Sequence, residues 1–203
     1  MLYRANFGWG FGEGWCLAPP HPMNILSWNY WGLGNPTIVL ALHNLVKVQG
    51  PKVLFLMETK LDGKKMEVLR FELRFKFCFT VLSRGSSGGL ALLWNDPVEL
   101  TIQNYTQNHI EAHVQVLPSQ LWRFIGFYGH PEGHRHRESW ALLNKLNGMD
   151  QLPWLCMGDF NEILFVDERT REVLGMYGRM EDFNEVVNRC DLLDMGFRGV
   201  PFT

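Results

Sequence analysis

Two short runs constrain this chain more than anything else in it: VLFLM at 53–57 and WLCMG at 154–158. Each is apolar at every position, so a sheet with one wet face would leave half of the run in water. They read instead as strands buried on both faces. Both fall far short of a membrane span. Each stops abruptly on polar residues, Glu58 after the first and Asp159 and Asn161 after the second. A third strand pattern, MNILSWN at 23–29, stops on Asn29.

The segments around these runs alternate in period. Asn35-Pro36 opens TIVLALHNLVKVQG, an amphipathic helix closed by Gly50. LDGKKMEVLRFEL (61–73) reads as a short helix, KFCFTVL (76–82) as a strand, and SRGSSGG (83–89) as a hairpin turn into LALLW. VELTIQNY, HIEAHVQVL and LWRFIGFYG are strand-like and separated by turn residues, which makes them antiparallel neighbours. RHRESWALLNKLNGM (135–149) and RMEDFNEVVNRCDLLDMGF (179–197) carry apolar residues at helical spacing. This order predicts an α/β fold: two mixed β-sheets packed face to face with helices outside.

At 203 residues the chain suits one domain with a sizeable core. Its net charge of −2 excludes a broadly basic, non-specific nucleic-acid binder. It does not exclude an enzyme in which metal ions face the phosphates. Four cysteines with no CxxC pair argue against a zinc site or disulfide framework and suit a reducing compartment. Residues 1–22 are rich in Gly, Pro and aromatics without a period, and lack the continuous apolar core of a signal peptide. They are expected to be a disordered leader before a domain spanning 23–203. A nuclear or cytoplasmic protein, not a secreted one, is expected, with no obligate protein partner evident.

In α/β sheets, ligands bind beyond the carboxyl ends of strands. If the three polar strand ends lie side by side, Asn29, Glu58, Asp159 and Asn161 converge. Such oxygen donors suit a hard cation such as Mg2+, with Mn2+ as its substitute, and not zinc. An ion of this kind beside a hydrogen-bonding aspartate is what phosphodiester hydrolysis needs. Any one polar strand end is more often a plain turn. Three in this order make that explanation harder.

The segments ILSWN…GLG, LFLMETKL, SGGLALLW, GFYGHPE, PWLCMGDFNEIL and GFRGVPFT, in this order from Met23 to Thr203, resemble the endonuclease/exonuclease/phosphatase superfamily. More narrowly they resemble the endonuclease domain of plant LINE-type (non-LTR) retrotransposons. The resemblance implies a DNase I-like four-layer α/β sandwich and magnesium-dependent nicking of a DNA substrate. It implies that Glu58 holds the metal and that Asn29 helps bind metal and phosphate. Tyr128 would contact the scissile phosphate, Asp159 would orient or activate water, and Asn161 would hydrogen-bond the phosphoryl group.

Relatives carry a Ser-Asp-His segment beyond the point where this chain reads PFT. They usually show Cys-Arg where it has Tyr30 and Trp31, and a Glu-Lys-x-Gly-Gly turn where it has VDERTREVLGMYGRM. The expectation is therefore a domain incomplete at its C-terminus, its last strands missing. The alternative to an active enzyme is a truncated, inactive remnant that binds nucleic acid weakly.

Remaining features read as structural. GHRHR (133–137) is expected to be a solvated loop. The basic residues Lys64, Lys65, Arg70, Arg74 and Lys76 make a solvated face. His109 and His113 share a strand face and read as structural. SRGSSGG lacks the Lys-Ser/Thr of a phosphate-binding loop.

Overall fold

The computed structural model describes residues 4–8, 23–29, 36–83, 88–115, 120–164 and 176–194. It forms the expected two mixed sheets. One has the order β1-β9-β8-β7-β6, from strands Arg4–Gly8 (β1), Glu99–Tyr105 (β6), His109–Gln115 (β7), Leu121–Tyr128 (β8) and Trp154–Asp159 (β9). The other has the order β2-β3-β5-β4, from Ile25–Asn29 (β2), Val53–Met57 (β3), Phe77–Val81 (β4) and Leu90–Trp94 (β5). The β2–β3 and β8–β9 pairs are parallel and the others antiparallel. Helices α1 (Pro36–Gln49), α2 (Gly63–Glu72), α3 (His136–Asn147) and α4 (Met176–Arg189) complete the layers.

The strand period of two explains why the central runs are apolar throughout. Val53, Phe55 and Met57 of β3 face the gap between the sheets, while Leu54 and Leu56 meet Leu42 of α1 and Met66 and Leu69 of α2. In β9, Leu155 and Met157 join the same gap, while Trp154 and Cys156 pack with Leu143 and Leu146 of α3 and Phe183 and Val186 of α4. The result is four layers: helices, sheet, sheet, helices. The sheets approach closely at one point, where a Cβ on Gly126 would stand 2.5 Å from Cε2 of Phe55. Cys78, Cys156 and Cys190 are free thiols.

Within residues 1–22, Arg4–Gly8 forms a strand that pairs antiparallel with β9 from Arg4↔Gly158 to Gly8↔Trp154. The physical reason is the unpaired edge β9 would otherwise present. Residues 9–22 lie outside the described residues, as do Tyr30, Trp31 and residues 165–175. Within GHRHR the helix begins where the pattern from 135 places it, but His136 is not solvated. His136 opens α3 and is buried, its Nδ1 2.6 Å from Oε1 of Glu162.

The helix layer beside β7 and β8 is tied down by a buried charge. Arg123 is fully buried; its Nε donates to Glu111 Oε1 at 2.8 Å, with NH2 2.6 Å from the same oxygen. Its remaining donors reach the Leu146 carbonyl at 2.8 Å and the Asp150 carbonyl at 3.3 Å, fixing the end of α3.

Candidate active site

The strand ends named by the sequence meet at one end of the gap between the sheets. Parity places three of them there. Asn29 shares the face of Ile25, Tyr128 that of Phe124, and Asp159 that of Leu155 and Met157, all of which pack in the inter-sheet core. Register brings them level: Asn29 pairs with Met57 and Tyr128 with Asp159. Glu58 is different. Continued alternation after Met57 would turn it toward the helices. It instead takes φ +52°, a left-handed conformation rare for a residue with a Cβ, and its carboxylate meets Tyr128. Unusual backbone of this kind persists where surrounding contacts enforce it.

Two sets of hydrogen bonds span the sheets. The Tyr128 hydroxyl donates to Oε1 of Glu58 in a very short contact. Asn29 Nδ2 donates to Asp159 Oδ2 at 2.6 Å, and the backbone N–H of Asn161 donates to Asp159 Oδ1 at 2.9 Å. Asn161 takes φ +53° and its Nδ2 donates to the Gly129 carbonyl at 2.7 Å, which closes the turn after β9 on the end of β8. The Asp159 N–H points at Met57 Sδ, 3.2 Å away in the other sheet. Burial raises the Tyr128 phenol well above its ordinary pKa, reinforced by its hydrogen bond to Glu58 and the charges of Glu58, Asp159 and Glu132. Tyr128 therefore stays a proton donor at any physiological pH.

Lys60, part of the METK motif but given no role by spacing, brings Nζ to 3.6 Å from Glu58 Oε2. Glu162, next to Asn161, is held by Trp140 Nε1 at 3.1 Å and by His136, so α3 anchors the far side of the loop. Neither contact has a sequence signature beyond adjacency to a motif. Arg135 pairs with Glu138 through two hydrogen bonds of 3.0 and 2.9 Å, which competes with any role on phosphate. His113 pairs with Asp150 at 3.1 Å, and His109 is buried under the helix layer, as their shared strand face suggests.

The donor set fits a hard divalent ion. Asp159 accepts and cannot donate when ionised, so Asn29 must present Nδ2 to it. That orientation leaves Asn29 Oδ1 buried with no hydrogen-bond partner among the described residues. A buried orphan carbonyl oxygen needs a donor or a cation. No group of three His, Cys, Asp or Glu suited to a metal occurs among the described residues. One or two carboxylates with water completing the shell is the usual manner of binding magnesium.

The two-sheet sandwich with helices outside is the DNase I-like fold, and the polar cluster lies where such sheets bind ligands, beyond the strand ends. The chain belongs to the Endonuclease/Exonuclease/phosphatase family, whose model matches residues 26–173. Three solved structures show the same fold. The endonuclease domain of TRAS1, a telomere-specific non-LTR retrotransposon, superposes with TM-score 0.61 at 11% identity, covering 84% of this chain and 73% of that one. An AP endonuclease from Archaeoglobus fulgidus gives 0.60 at 14% identity, covering 83% and 69%. The 3′ phosphatase NExo from Neisseria, bound to product DNA hairpin, gives 0.59 at 17% identity, covering 82% and 71%. No curated protein sequence matches the chain. No helix among the described residues is long and apolar enough to cross a membrane.

Proposed function

We propose that this chain is a magnesium-dependent phosphodiester hydrolase of the non-LTR retrotransposon endonuclease type, and that it nicks DNA. One observation carries the reading: two hydrogen-bonded pairs, Asn29 with Asp159 and Tyr128 with Glu58, each join the two sheets at the same end of the gap, and Asn29 keeps an orphan buried carbonyl oxygen there. Membership of a family of nucleases and phosphatases supplies the reaction class. Nucleases of this family are generally dependent on a divalent metal.

In this reading Glu58 and Asn29 hold the ion, which supplies charge stabilisation to the phosphoryl oxygens. Asp159 orients water and takes its proton. Two bonds already fix its carboxylate, and each oxygen keeps a lone-pair direction for water. Tyr128, whose single hydroxyl proton goes to Glu58, would turn that proton to the phosphate once Glu58 holds the ion, and Asn161 keeps one amide hydrogen beyond its bond to Gly129. Lys60 supplies a cation beside Glu58.

A supercoiled-plasmid assay with Mg2+ tests this. The wild-type chain is expected to yield open circles, and Asp159→Ala and Glu58→Ala each to lower the rate by about two orders of magnitude or more. If neither the wild type nor any variant cleaves, the chain is an inactive scaffold.

A further inference from the structure

The turn before β5, which by its sequence is a mere hairpin glycine pair, touches the loop that carries Glu58. The N–H of Thr59 donates to the Gly89 carbonyl at 3.1 Å, and the N–H of Lys60 points at the Gly88 carbonyl at 3.4 Å. These two bonds flank the backbone of a segment in which Glu58 and Lys60 both sit at positive φ, +52° and +48°. Gly88 and Gly89 are themselves at φ +86° and +92°. The space is as restrictive as the dihedrals. A Cβ on Gly89 would lie 2.6 Å from Thr59 Oγ1, 3.2 Å from the Lys60 nitrogen and 3.5 Å from Ser83 Cβ. Thr59 is fully buried and cannot swing into solvent to make room.

We infer that Gly88 and Gly89 are positioning residues: their carbonyls clamp the 58–60 backbone so that the Glu58 carboxylate faces the gap between the sheets. Without the clamp, Glu58 relaxes to ordinary extended backbone and rotates toward the helix layer, away from Tyr128. The ion-binding part of this inference rests on the function proposed above. The backbone part does not, because it is argued from the two hydrogen bonds and the dihedral angles alone.

The test separates the two. Tyrosine-ring NMR of the full chain reports the Tyr128 contact, and Glu58→Gln supplies the reference for its loss. Gly89→Ala is expected to move the Tyr128 ring resonance toward that reference, and calorimetric titration with Mg2+ to show at least tenfold weaker binding. Adding Thr59→Ala removes the nearest clashing atom and is expected to restore part of both signals. If Gly89→Ala does not fold, Gly88→Ala is the second probe. Among the described residues its new Cβ would meet only Gln107 Oε1 at 3.9 Å, so the strained φ dominates, and a smaller shift in the same direction is expected. A folded variant whose Tyr128 resonance stays at the wild-type position overturns the clamp. A resonance that moves in a protein whose wild type binds no Mg2+ supports the clamp and refutes the metal reading instead.

Discussion

Replacing Arg123 with methionine tests whether the site's supporting layer depends on a buried ion pair. The guanidinium is fully buried, and its donors are divided among Glu111 and the carbonyls of Leu146 and Asp150. Its plane also lies over the Trp154 ring, 5.6 Å from the centroid. Methionine retains most of the volume and removes the charge. Glu111, 3% exposed and with Oε2 already lacking a partner among the described residues, is then left as a buried carboxylate without its cation. Breaking a buried pair from one side costs about 3–5 kcal/mol. For a domain of this size each kcal/mol lowers Tm by about 2–4 °C, so a fall of about 6–20 °C is expected. Arg123→Met combined with Glu111→Leu removes both charges and should recover more than half of that loss. Urea unfolding followed by tryptophan fluorescence gives the four corners of the cycle. A single variant less than about 1 kcal/mol below wild type, or a double variant no better than the single, refutes the reasoning.

Three further outcomes follow from the same geometry. Burial, then the charge of Lys145, lowers the His109 pKa from its ordinary value to about 4. The unfolded chain takes up that proton near pH 6.5, so stability is full above that pH and is lost as pH falls toward 4. Between pH 7 and 5 this amounts to about 2 kcal/mol, read by urea midpoints, and His109→Leu should flatten the slope; an unchanged slope contradicts the assignment. Gly126→Ala drives a Cβ into the Phe55 ring and should destabilise the chain by about 1–3 kcal/mol, with a smaller effect when combined with Phe55→Leu. Tyr128→Phe removes the donor to Glu58; stability should fall by about 1–3 kcal/mol and the nicking rate by about a hundredfold, and a variant with wild-type rate rules out a role on phosphate.

Strand parity made much of this legible. Once β2, β8 and β9 are recognised as strands, the face of Asn29, Tyr128 and Asp159 follows from Ile25, Phe124 and Met157. The fully apolar runs likewise announce a sheet covered on both sides. Glu58 was legible as a residue type at a strand end, but not in orientation, because that depends on a positive φ imposed by a glycine pair about 30 residues away in sequence. The strand at Arg4–Gly8 was hidden for a similar reason. Five residues with no apolar alternation gain their structure from the β9 edge, not from local propensity. The burial of His136 is not legible, because a histidine in a polar sequence gives no sign that a buried glutamate awaits it 26 positions on.

The central claim is that Glu58 and Asp159 serve one reacting centre across two sheets. Measuring plasmid nicking for Glu58→Ala, Asp159→Ala and the double variant, at saturating Mg2+, tests it most directly. Residues that act as a unit are strongly non-additive, so the double variant should be scarcely slower than the slower single one. Losses that multiply, or a single variant with wild-type rate, would show that the two carboxylates do not work together.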